Sequence, residues 1–216
     1  MIQGLTGQTR EDLAESAARW HFFLTLFKFP SLKQWIGLQE ERSRRAWAIL
    51  NRDLDADPAL EMPVPADLQT YEDLYLSTFE VGVPHPVCPL IESHWNKRHP
   101  VPKILHENIL FYKQFGLELR PAVHESADHL RHQLEFLLYL DRLEFQARGE
   151  ADGAEAARQA ARARGDFLER HPGCWVPAAA RDLNGKQPGT WPSQWMNLLA
   201  SALERAMEHS RRPTIS

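Results

Sequence analysis

The sequence predicts an all-α fold, a single-domain bundle of about eight or nine helices. Three observations carry this. Apolar side chains recur at helical spacing along most of the 216 residues. Proline and glycine punctuate those runs where helices would end. No stretch alternates apolar and polar residues between hairpin turns, as a strand facing a core would. The β-branched residues Val81, Val83, Val87 and Ile91 gather instead in a proline-rich loop over 80–95. A chain of this length buries a full core as one domain, 1–216, with a core over 9–183, a C-terminal helix over 190–209 and a frayed tail over 211–216.

Thr9 with Asp12 three residues later reads as a capping box, followed by Leu13, Ala17, Trp20, Leu24 and Phe27 on one helical face. Pro30 stops that helix. Ser31 opens a short piece with Leu32, Trp35 and Ile36 expected inward. A helix over 40–54 places Ser43, Trp47, Leu50 and Leu54 on one side and the solvated Arg42, Arg44 and Arg45 on others. The prolines of 55–65 mark a loop. Asp67 caps the next helix, which carries Tyr71, Leu74, Tyr75 and Phe79 at helical spacing.

Then Pro84, Pro86 and Pro89 remove backbone donors and fix φ, so the chain must run as a stiff extended loop. Val81, Val83, Val87, Leu90, Ile91 and Trp95 are too apolar for a solvated linker. The loop therefore packs on its own domain or walls a groove for another chain. Pro102 suits the first turn of a central helix that Gly116 ends. Ser126 is the expected N-cap of the longest helix, running to Arg148. An alanine-rich helix over 154–170, a short one over 175–183 and a last one capped by Thr190 complete the fold.

Charge and composition narrow the function. A formal net charge of −4 gives no basic face for nucleic acid. Two cysteines make no disulfide framework, the charged first 20 residues hold no signal-peptide core, and no apolar run is long enough to span a bilayer. A soluble cytoplasmic protein is the expectation. Phosphate-cradling glycine loops, a GxSxG elbow and a CxxC pair are all missing. No cofactor is expected.

Ten histidines invite a metal reading. Glu125, His129 and His132 share one helix side, which supports a metal-dependent enzyme as the alternative function. HExxH is absent, however, and His85 with Cys88 lacks a second ligand pair. Asp128 and His129 admit two readings of their own: Asp128 complements the positive start of the long helix, or the pair points into a cleft beside the proline loop.

Four ordered motifs bring a resemblance into view. They are Tyr71-x-x-Leu74-Tyr75, Pro86-x-x-Pro89-x-x-Glu92-Ser93-x-Trp95, Asp128-His129-Leu130-x-x-Gln133-Leu134-x-Phe136, and Phe167-Leu168-x-x-His171-x-x-x-Trp175-x-Pro177. In order and spacing the chain resembles the TorD/DmsD family of redox-enzyme maturation chaperones, with Gln133 standing where a carboxylate is more usual. The loop looks most like the branch serving dimethyl sulfoxide reductase-family enzymes with a separate iron–sulfur subunit.

The resemblance implies a non-catalytic cytoplasmic chaperone. It would bind the apo catalytic subunit of a molybdopterin oxidoreductase, often by its twin-arginine signal peptide, until the cofactor is loaded. It implies a peptide-binding role for Tyr71, Leu74, Tyr75, Pro86, Pro89, Glu92, Ser93, Trp95, Asp128 and His129. A leader with a cationic start and an apolar body needs an apolar groove with carboxylates at one end. Glu92 and Asp128, joined by Glu125 and Glu135, are the candidates. A monomer or a domain-swapped dimer is expected.

Overall fold

The structure is a computed structural model that describes residues 9–53, 61–119 and 125–211. Its elements are α1 (Arg10–Leu26), α2 (Leu32–Gln39), α3 (Glu41–Asp53), α4 (Leu68–Tyr75), a π-helical turn (Leu76–Glu80), α5 (Glu92–Trp95), α6 (Val101–Gln114), α7 (Leu130–Ala147), α8 (Ala154–Arg170), α9 (Pro172–Lys186) and α10 (Trp191–Arg211). The only pairing outside helices, among the described residues, is an isolated bridge between Ile91 and His129. The fold is all-α, as the periodicity predicts. Among the described residues ten α-helices are distinguished when the four-residue α5 and the short α2 are counted as separate elements.

The helix ends follow local chemistry. Thr9 and Asp12 close the capping box of α1, with Thr9 N donating to Asp12 at 2.7 Å and Asp12 N to the Thr9 hydroxyl at 3.1 Å. Asp67 caps α4 by accepting from Thr70 N at 2.7 Å. Gly116, at φ +70°, takes the left-handed turn that ends α6, and Leu117 N then returns to Tyr112 O at 3.0 Å. Pro172 sits in the first turn of α9, where its missing donor costs nothing.

Three expectations need correction. The long helix α7 starts at Leu130, not Ser126: His129 is the N-cap, its Nδ1 accepting from Arg131 N at 3.2 Å. The longest helix is α10, with 21 residues against 18 in α7. Leu32 and Ile36 face solvent, 56% and 50% exposed, while Gln34 and Leu38 turn inward. The apolar pattern of so short a segment fits two faces equally, and packing selected the other. Leu54 and residues 212–216 of the expected tail lie outside the described residues.

α1 lies along α7, α7 along α8, and α9 along α10. One continuous core runs through them, with Trp20, Phe23, Phe136, Phe167, Trp175 and Trp195 all inside. The α4 helix closes one end of it. Tyr71 meets Trp191 and Trp195 edge-on with ring centroids 5.3 and 6.3 Å away, and the Tyr75 hydroxyl donates to Phe27 O at 3.0 Å. No helix among the described residues is long and apolar enough to cross a membrane.

Candidate functional site

The proline loop splits into halves with opposite fates. In its first half Val81 is 64% and Val83 fully exposed, and Pro84 and His85 are exposed too. This arch is pinned at its foot by Cys88 N donating to Thr78 O at 2.7 Å. Gly82 lets it close tightly: a Cβ there would sit 2.3 Å from the His85 carbonyl oxygen. His85 stacks edge-on against His94 at 4.4 Å, His94 against Trp95 at 5.0 Å, and the Trp95 indole donates back to Pro89 O at 2.8 Å.

The second half goes into the protein. Cys88, Pro89 and Leu90 are buried, and two backbone hydrogen bonds stitch the chain to the start of α7: Leu130 N to Leu90 O at 2.8 Å and Glu92 N to Asp128 O at 3.1 Å. The Asp128 carboxylate, with no exposed surface, accepts from Ser93 N at 2.8 Å. Asp128 thus serves a helix start, but that of α5 rather than its own. Ser93 lies inside α5 and receives this cap.

Behind the stitch lies a buried polar hub. Glu92 is fully buried and its carboxylate accepts from Asn96 at 2.9 Å, Gln133 at 2.7 Å and Asn108 at 3.3 Å, with His171 Nδ1 at 3.0 Å. Gln133 in turn accepts from the Trp175 indole at 3.0 Å, and the Tyr112 hydroxyl donates to Asn108 at 3.3 Å and to Ala127 O at 3.0 Å. A buried carboxylate is tolerable only when paired and hydrogen-bonded this completely. The amide at Gln133 is thereby explained. It donates to Glu92 and accepts from Trp175, whereas a carboxylate would set a second negative charge against Glu92.

A second acidic cluster is more open. Glu125 pairs with Arg131 at 2.5 Å, and its other oxygen, Oε2, lies 3.7 Å from both His129 Nδ1 and His132 Nε2. Glu135 stands 3.6 Å from His132 Nδ1. Burial pushes the His129 imidazole down to about 4, only partly offset by the Glu125 carboxylate, with His132 and Arg131 pushing the same way as burial. Glu80, at the foot of the arch, is held above the usual carboxylate range by desolvation first and by Glu125 second, with Arg131 opposing. So Glu125, His129 and His132 do meet, as their spacing predicts. Yet His129 Nδ1 is occupied as a cap, and no group of three potential ligands among the described residues is arranged to hold a metal.

His132 and Glu135 also line a cavity of about 250 Å³. Its other walls are Tyr112, Phe136 and Tyr139, with Leu117, Glu118 and Leu119 from the turn after α6.

Of the ten residues the motifs suggest for peptide binding, the structure places Tyr71, Tyr75, Pro89, Glu92, Asp128 and His129 in the interior. Leu74, Pro86, Ser93 and Trp95 are half-buried. Asn108 belongs to the hub although its sequence context read as apolar. One polar residue on an otherwise greasy helical face was the available signal.

The described residues thus form an all-helical bundle with a pinned apolar arch and a cavity bordered by Glu118 and Glu135. The family described as the nitrate reductase delta subunit matches residues 40–181, and the chain belongs to that family, which is the TorD-type kinship its motifs suggest. A perchlorate reductase assembly chaperone protein of Dechloromonas aromatica (strain RCB) is 31% identical over 128 residues, 59% of this chain and 56% of that protein. A selenate reductase assembly chaperone protein of Thauera selenatis is 36% identical over 138 residues, 64% of this chain and 67% of the relative. A chlorate reductase assembly chaperone protein of Ideonella dechloratans is 35% identical over 132 residues, covering 61% and 64%. The matched stretch therefore spans between a little over half and two thirds of these relatives' own lengths.

Proposed function

We propose that this chain is a cytoplasmic, non-catalytic assembly chaperone for the catalytic subunit of a molybdopterin oxidoreductase. It holds the apo subunit by its leader until the cofactor is in place. Family membership and three relatives named for reductase assembly support the class of function. The observation that carries the mode of binding is the arch: Val81 and Val83 are displayed to solvent on a loop whose feet are fixed by hydrogen bonds.

A preformed apolar surface loses little entropy when a guest docks. Pro86, Ser93 and Trp95 border that surface, and Pro89, Glu92, Asp128 and His129 fix its frame from behind, while Leu74, Tyr71 and Tyr75 belong to the α4 end of the core. The carboxylates Glu80, Glu125 and Glu135 supply the negative field that a leader with a cationic start requires. Transient handling calls for affinity near micromolar, about −8 kcal/mol.

Calorimetric titration of the full chain with a synthetic twin-arginine leader tests this reading. Binding in the micromolar range that weakens when Val81 and Val83 are both replaced by serine is the expected result. A flat titration, together with no reductase subunit co-purifying from cells, overturns it.

A further inference from the structure

The structure assigns the cavity between the end of α6 and the first turns of α7 to a guanidinium group, the side chain of one arginine on the guest. The inference rests on the leader-binding reading above and adds a specific subsite to it. At about 250 Å³ the cavity falls below the roughly 300–1,000 Å³ of pockets that enclose a whole small ligand, and it suits one long side chain.

Its lining is of one kind. Tyr112, Phe136 and Tyr139 give it aromatic walls, Leu117 and Leu119 an apolar lip, and Glu118 and Glu135 negative charge; no lysine or arginine lines it. The hydroxyls of the two tyrosines are spoken for, Tyr112 by Asn108 and Ala127 and Tyr139 by Phe115 O at 3.5 Å. The walls are left to offer ring surface, and ring surface beside carboxylates attracts cations and repels anions.

A second observation points the same way. Glu125 Oε2 and His132 Nε2 are both buried without a hydrogen-bond partner, and they stand 3.7 Å apart, too far to satisfy one another. Arg131, the neighbouring cation, is engaged by the other oxygen of Glu125. An unfilled carboxylate oxygen beside an unpartnered ring nitrogen of the cavity-lining His132 suits a donor with several N–H groups in a fork. Guanidinium provides that fork, stacks on aromatic faces and is less strongly hydrated than ammonium, so arginine is preferred over lysine.

The test titrates the full chain with N-acetyl-arginine methylamide and with the lysine equivalent, following the ring signals of His132 and Tyr139 by NMR. Arginine should shift both signals at concentrations about tenfold lower than lysine does. Glu118→Gln with Glu135→Gln should weaken arginine binding about tenfold, and Tyr139→Leu should abolish the preference over lysine. Equal responses to the two probes, or carboxylate variants that bind arginine as the parent does, overturn the assignment. If a twin-arginine leader binds parent and variants alike, the socket is wrong and the chaperone reading stands. If arginine binds but no leader does, the socket stands and the leader-binding mode falls.

Discussion

Two clusters of carboxylates lie on either side of the start of α7, and they have been treated oppositely. Around Glu92 both carboxylate oxygens are met by neighbours, four in all, and the group has no exposed surface. Around Glu125, one oxygen is held by Arg131 while the other, Oε2, has no hydrogen-bond partner, and His132 and Glu135 beside it border a cavity. A satisfied carboxylate fixes architecture. A carboxylate with capacity to spare can receive something from outside. The first cluster holds the chain together, and the second is where we propose that a guest is met.

Replacing Glu92 by alanine should have the largest effect. It strands Asn96, Asn108, Gln133 and His171 in the interior, and loss of one partner of a buried pair costs about 3–5 kcal/mol. Urea denaturation should show this; a loss below about 1 kcal/mol would erase the distinction between the clusters.

His129 gives the next effect, through pH. Its folded imidazole is held near 4, below the unfolded value of about 6.5, so the unfolded chain takes up the proton first. The stability attached to this neutral cap is therefore complete above about pH 6.5 and declines as pH falls toward 4, by at most about 1.4 kcal/mol per pH unit. Comparing melts of the parent and His129→Ser, which keeps a capping oxygen but cannot titrate, isolates that slope. Identical slopes would show that burial of His129 has no bearing on it.

Asp128→Ala should cost about 1 kcal/mol by leaving Ser93 N uncapped, with leader affinity changing only as far as the arch loosens. The smallest change in stability belongs to Glu135→Gln, within about 0.5 kcal/mol because that side chain is 54% exposed. Its leader affinity should nevertheless fall, and calorimetry beside a thermal melt separates the two. If Glu135→Gln melts early while Glu92→Ala does not, the roles of the two clusters are reversed.

The helices were legible because their signals are local. Thr9 with Asp12, Asp67, Gly116 and Pro172 each work within a few residues, and each marks an end where the structure has one. The start of α7 was misread because Ser126 is the stronger capping residue in isolation, yet His129 occupies the cap while neighbouring Leu130 N is bonded to Leu90 O. That is a tertiary constraint, invisible to spacing. The site was legible only in part. Motifs picked out Glu92, Asp128, Gln133, His171 and Trp175, but could not tell that they face one another rather than a guest. Tyr112, Leu117 and Tyr139 carry no motif of their own, since the gap between them exists only once α6 and α7 are side by side.

The fastening of the arch has a further consequence. Thr78 holds Cys88 at one foot, and the start of α7 holds Leu90 and Glu92 at the other, so the segment over 81–87, exposed from Val81 to His85, closes on a frame that it does little to build. What the segment displays can therefore change while the bundle beneath stays as it is. Transplanting the corresponding segment of a related chaperone between Glu80 and Cys88 would exchange the displayed surface alone. In such a frame, choice of client and integrity of fold can evolve under separate pressures.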